Sequence, residues 1–205
     1  MTLRRKFAVL AAVFGLAACS SPTLRYYTLV APMDSAPPQR SAPAPFQFEM
    51  LPVLLPVQVD QPPLVVRQGD GSLAILDTER WGAPLGDEFH DALTAQLERL
   101  WNRRDVAGLP KNSDEPLLSL RADVRRFESV PGQFALIDVV WNLSLRSGPS
   151  GSKRENLTCS SVIRENAAAS MENLVLAHQR AVSRLAEQIA QTGRNWSQQR
   201  SAGCP

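Results

Sequence analysis

Metal-ligating side chains are scarce in this 205-residue sequence. There are two histidines, His90 and His178, and three cysteines. No His-Glu-x-x-His pair and no Cys-x-x-Cys occurs, so the short ligand spacings of a resident zinc site are missing. A Walker loop and a dinucleotide fingerprint are missing too, and no cofactor is expected. Gly148-Pro149-Ser150-Gly151-Ser152 lacks the last glycine of a nucleophile elbow and reads as a turn. Asp87, Glu88 and Asp91 cluster, but they fall at the start of a helix, where carboxylates complement the dipole. Without a catalytic constellation, the chain is expected not to be an enzyme. Nor is there an internal repeat.

Surplus positive charge is also lacking. The formal net charge is +2, yet Arg4, Arg5 and Lys6 supply three of the 22 basic residues. Residues 19–205 alone carry 19 basic against 20 acidic side chains, which argues against a nucleic-acid partner.

What the chain does have begins at its start. The basic residues 4–6 precede an apolar run over residues 7–15, and Leu16-Ala17-Ala18-Cys19 follows. The run is too short to cross a bilayer, which takes about 20 apolar residues, but it suits the apolar part of an export signal. The order resembles a bacterial lipoprotein signal. That resemblance implies cleavage between Ala18 and Cys19, lipidation of the Cys19 thiol with acyl chains such as palmitate, and, from Ser20, sorting to the outer membrane. Residues 1–18 would be the signal peptide and 19–205 one periplasmic domain, long enough for a real core.

With Cys19 lipidated, Cys159 and Cys204 remain. In an exported chain they either close a disulfide or leave a buried Cys159 and a free tail thiol at Cys204. Cys159 lies on the apolar phase of its strand, and Cys204 follows a helix that could return it to the sheet.

Hydrophobic periodicity outlines the domain. Residues 23–30 read as a strand, and a Pro/Ala/Ser loop over residues 31–45 follows. Residues 46–55 read as a second strand. Residues 64–68 and 73–76 flank Gly69-Asp70-Gly71-Ser72, a hairpin signal. Leu85, Phe89, Leu93, Leu97, Leu100 and Trp101 recur at helical spacing over residues 84–103, with Pro84 suited to the first turn. Period-two stripes over residues 117–127, 135–145 and 154–165 predict an antiparallel meander. A last helix starts after Ser170 as N-cap, with Gly193 as its stop. The order predicts an α+β domain in which two long helices pack on one face of a mostly antiparallel sheet.

Three segments carry a wider likeness: Tyr26-Tyr27-Thr28-Leu29, the proline-punctuated stretch from Leu55 to Arg67 with Asp60-Gln61-Pro62, and Arg80-Trp81-Gly82-Ala83-Pro84-Leu85. Together they resemble the PqiC/YmbA family of ABC-type transport auxiliary lipoproteins, over essentially all of residues 19–205. Residues 57–62 depart from the tyrosine-leucine-aspartate-arginine-proline-like segment usual there. The resemblance implies a non-catalytic subunit of a mammalian-cell-entry (MCE) transport system that moves lipids or other hydrophobic molecules. Its expected partners are an MCE-domain periplasmic protein, the outer membrane through the lipid anchor, lipid cargo, and further copies of the chain. An outer-membrane lipoprotein that activates a peptidoglycan synthase or another envelope machine is the alternative. Tyr27, Leu29, Arg80, Trp81, Pro84 and Leu85 are the candidate motif. They form either a strand-to-helix corner or a docking patch, Trp81 offering an apolar body with one N–H to satisfy.

Overall fold

The computed structural model describes residues 22–32, 42–69, 71–148, 152–201 and 203–205. Ala18, Cys19 and the rest of the leader lie outside the described residues, as does most of the Pro/Ala/Ser loop.

Among the described residues, seven strands and two helices make an α+β domain. The meander forms where the period-two stripes predict it: β5 (Leu117–Val130), β6 (Phe134–Ser147) and β7 (Lys153–Asn166), paired antiparallel. Pro131-Gly132 makes the first turn, Gly132 taking φ 74°, a conformation a side chain would disfavour. β2 (Gln47–Met50) joins the outer edge of β5 in parallel. The chain stays alongside β5 past Pro52, since Leu54 N–H donates to the Ala122 carbonyl at 3.2 Å and Val124 N–H to the Leu54 carbonyl at 2.8 Å.

The remaining strands do not extend this sheet. β1 (Arg25–Tyr27), β3 (Pro63–Arg67) and β4 (Leu73–Trp81) form a second one, in the order β1-β4-β3. The glycine hairpin joins β3 to β4 antiparallel, while β1 runs parallel to β4. The sequence places the strands in a single sheet; the structure divides them between two.

Two register shifts decide which side chains face inward. In β5, Val124 opposes Val139 and Arg126 opposes Asp138, so Arg125 is extra. One extra residue reverses the inward phase, which turns Phe127 and Ser129 into the core where strict alternation would turn them out. In β4, Arg80 opposes Pro63 but Leu76 opposes Leu64, leaving residues 77–79 without partners in β3. The odd number of such residues likewise changes phase, and Trp81 points inward.

Helix α1 (Leu85–Trp101) buries Leu85, Phe89, Leu93, Leu97 and Trp101. Helix α2 (Met171–Gln198) begins at Ser170, whose hydroxyl accepts from Asn173 N–H at 3.2 Å. It packs along α1 and over β6 and β7. A single apolar cluster unites both sheets and both helices. No helix among the described residues is long and apolar enough to cross a membrane.

Gly193 is not the stop expected of it. The helix runs on to Gln198, and Gly193 is buried within it. A Cβ there would lie 3.0 Å from Trp101 Cζ2 and 3.4 Å from Leu118 Cδ2. The residue is small because Trp101 sits against the helix backbone. That indole is fully buried, packs edge-on against Phe46 and Phe48, and donates its N–H to the Ala190 carbonyl at 3.1 Å.

Candidate functional site

The three segments singled out in the sequence converge at the start of α1. β4 ends at Trp81, which is 4% exposed and packs edge-on against Phe127, 6.1 Å between centroids. The Trp81 backbone N–H donates to the Pro62 carbonyl at 2.8 Å, tying the proline-punctuated stretch to the end of β4. β1 lies on the other side of β4, Tyr26 opposite Arg80 and Tyr27 opposite Trp81. Gly82 N–H continues that ladder, donating to the Tyr27 carbonyl at 2.8 Å.

The chain then enters α1 through Pro84, which supplies no side-chain cap. The cap comes from elsewhere: Asp60 Oδ1 accepts from Gly86 N–H at 3.0 Å. This gives the Asp60-Gln61-Pro62 segment a physical role. Its carboxylate satisfies one of the four free N–H groups of a helix start and meets the positive end of the dipole.

Glu88 closes the corner. It is 7% exposed, and its Oε2 accepts from Thr28 Oγ1 at 2.7 Å and Leu29 N–H at 2.8 Å. A Cβ on Gly82 would come within 3.0 Å of Glu88 Oε1, so the glycine leaves room for the carboxylate. Reading Glu88 only as a dipole partner misses this bond. The signal was its phase: Leu85, Glu88, Phe89 and Ala92 share one buried helix face, and a carboxylate on an apolar stripe needs a partner. Replacing Glu88 with alanine should cost roughly 2–3 kcal/mol, because Leu29 N–H and the Thr28 hydroxyl lose their acceptor in a buried place. Urea unfolding measures it, and a Glu88→Ala domain within about 0.5 kcal/mol of wild type would contradict the clasp.

The first strand is held from α2 as well. Gln179 Nε2 donates to the Thr28 carbonyl at 2.9 Å, and Arg25 lies 3.4 Å from Glu172. The Tyr27 hydroxyl donates to Glu79 Oε2 at 2.6 Å. Partial burial and that carboxylate push the Tyr27 phenol up to about 12, so it stays a donor. Leu29 and Leu85, each 1% exposed, fill the space beneath. Arg80 is half-buried, and its Nε donates to the Asp77 carbonyl at 3.3 Å. All six candidate-motif residues thus meet in one corner.

The other candidates lie apart. Cys159 and Cys204 are bonded as a disulfide, with Cα atoms 5.5 Å apart. His90 Nδ1 is 3.0 Å from Asp91 Oδ1. His178 is fully buried, stacked on Phe127 at 4.0 Å, with Nε2 2.8 Å from Ser129 Oγ. Among the described residues, no group of three His, Cys, Asp or Glu side chains could hold a metal ion.

Comparison with known proteins agrees with this architecture. A solved structure of an uncharacterized protein is similar with a TM-score of 0.58 at 17% identity, covering 82% of this chain and 97% of that one. A Xanthomonas campestris protein is similar with a TM-score of 0.55 at 23% identity, covering 88% and 96%. Both likenesses are of fold. No curated protein matches the sequence. Residues 27–190, from Tyr27 in the first strand to deep in α2, match the family of ABC-type transport auxiliary lipoprotein components. With most of its length matched, this chain belongs to that family.

Proposed function

We propose that this chain is a non-catalytic lipoprotein subunit held by Cys19 at the periplasmic face of the outer membrane of a Gram-negative bacterium. There it docks the MCE-domain periplasmic component of a transporter for lipids or other hydrophobic molecules. The observation that carries this reading is the clasp on β1. Family membership makes the chain an auxiliary lipoprotein. Arg25, where β1 begins, is six residues beyond Cys19, and the residues that follow it are bonded to β4, α1 and α2 at once. A lipid on Cys19 would therefore hold the whole domain close to the bilayer, because six extended residues span at most about 20 Å. Stable anchoring takes more than one acyl chain, which a diacylglyceryl group supplies.

Fractionation tests the anchor: a Cys19→Ser chain is expected to leave the outer membrane, and its retention there would overturn this part. Crosslinking in intact cells tests the partner. Wild-type chain should recover an MCE-domain protein; recovery of a peptidoglycan synthase in its place would replace the proposal with the alternative.

A further inference from the structure

The face of the four-stranded sheet turned away from the helices holds a concave basin of about 270 Å³, lined by residues from β2, β5, β6 and β7. Its shape follows from cross-strand register. Glu49, Ser119, Ser144 and Asn156 lie in one row across all four strands. Ser119 and Ser144 are small and buried, and form the floor. Two residues away on one side, Arg146 and Arg154 are register partners; two residues away on the other stands Arg121. Three long guanidinium side chains thus wall a floor of hydroxyls.

The charges do not cancel. Glu49 is the one carboxylate of the lining, and it is already engaged: Ser119 Oγ donates to it at 2.6 Å, Lys111 lies at 3.0 Å and Arg146 at 3.6 Å. Burial works to raise its pKa, but these three partners outweigh burial and hold it below the usual carboxylate range, so it stays charged. Among the described residues no carboxylate pairs with Arg121 or Arg154. Arg154 Nε donates to Ser144 Oγ at 3.0 Å, leaving its terminal nitrogens for something else. Arg146 Nε is buried without a hydrogen-bond partner. Two arginines directly opposite across a strand pair repel, and among the described residues only Arg146 of the two has a carboxylate, Glu49, beside it.

We infer that this basin binds a phosphate group, held between Arg121, Arg146 and Arg154, with the serine floor facing the hydroxylated moiety that bears it. A carboxylate offers two coplanar oxygens and is satisfied by one guanidinium fork. Phosphate presents oxygens in a tetrahedron and suits donors arriving from opposite walls. The phosphate can belong to a phospholipid headgroup or to a small phosphorylated solute. The inference does not depend on the anchor or on the transporter partner, and its failure would leave both untouched.

Calorimetric titration of the full lipidated chain, in uncharged detergent at low salt, decides it. The probes are inorganic phosphate, glycerol 3-phosphate and dihexanoyl phosphatidylglycerol. Saturable binding of at least one probe is expected, weakened by salt. Arg121→Gln and Arg154→Gln should each reduce affinity roughly tenfold, the worth of a charge-assisted hydrogen bond. Tighter binding of the lipid than of glycerol 3-phosphate assigns the headgroup; equal binding assigns the solute. Arg121 makes no ion pair among the described residues, so its substitution tests binding without threatening the fold. No saturation by about 10 mM of any probe would overturn the inference. So would affinity unchanged in both variants, or displacement of every probe by a glutamate-rich peptide, which would mark a protein-docking surface.

Discussion

Between pH 6.5 and 5 the domain should lose roughly 2 kcal/mol of stability, and roughly 4 kcal/mol by pH 3, through His178 alone. The imidazole is wholly enclosed by α2 and β5, with Phe127 stacked on its ring. Burial without a compensating charge lowers its pKa to about 3, from 6.5 in the unfolded chain. The unfolded state therefore binds more protons than the folded state throughout that interval, the excess approaching one between the two pKa values. Stability rises with pH across the window and is complete above it; acidification removes about 1.4 kcal/mol per unit. Carboxylates whose pKa is lowered, Glu49 among them, add to the loss only near and below their unfolded value of 4.5. The upper part of the window thus isolates the histidine. Urea midpoints at closely spaced pH values measure the slope. His178→Gln, which keeps a polar group for Ser129 but cannot titrate, should flatten the curve above pH 5. An equal slope in that variant would mean that His178 is not the group responsible.

His178 also shows where sequence reading succeeded and where it stopped. Four residues after Leu174 and four before Val182, it falls on the apolar stripe of α2, a pattern that makes it a core residue. The Phe127 and Ser129 that surround it were not legible, because the extra Arg125 in β5 reverses their phase. Bulges reverse phase without a signature in residue type, so a period-two reading is sound only up to the next one. The same limit explains β4, where residues 77–79 have no partners in β3 and Trp81 points inward. Away from these shifts the stripes within single elements were legible: the meander, both helices and the glycine hairpin stand where periodicity puts them. The division into two sheets was not, since pairing between distant strands depends on which edges meet. Gly193 was misread for a related reason. A glycine in a helix has two uses, a stop or a close approach, and only the position of Trp101 distinguishes them.

The corner at the start of α1 was legible in composition but not in wiring. Arg80, Trp81, Pro84 and Leu85 were visible as a strand-to-helix transition. That Asp60 caps this helix from 24 residues upstream of Pro84, and that Glu88 reaches back to Leu29, depends on three segments arriving together. One consequence is mechanical. Trp81, Phe127 and His178 make consecutive ring contacts from the strand beside β1 to the first third of α2. The strand nearest Cys19 in sequence is therefore continuous with the core through these rings.

Reducing the Cys159–Cys204 bond should cost about 4 kcal/mol. The bond closes a loop of 45 residues, and the chain-entropy relation assigns a loop of that length about 4 kcal/mol at 25 °C. The loop contains the second half of β7 and all of α2, the helix that covers the sheet. Cut the bond and the tail beyond Gln198 keeps only noncovalent ties to β7, the Arg200–Glu155 ion pair at 2.7 Å among them, while the unfolded chain regains its freedom. For a domain of this size the loss corresponds to a fall of roughly 10 °C in Tm. Cys204 is exposed, so reductant can reach the bond in the folded protein, whereas Cys159 is buried at 4% exposure. Scanning calorimetry with and without dithiothreitol, and of Cys204→Ser, provides two independent readings. The two should agree, because the serine variant removes the link and leaves the buried Cys159 in place. A Tm unchanged in both would show that α2 is held by its apolar face alone. A fall on reduction but not in the variant would place the effect on native-state chemistry rather than on the freedom of the unfolded chain.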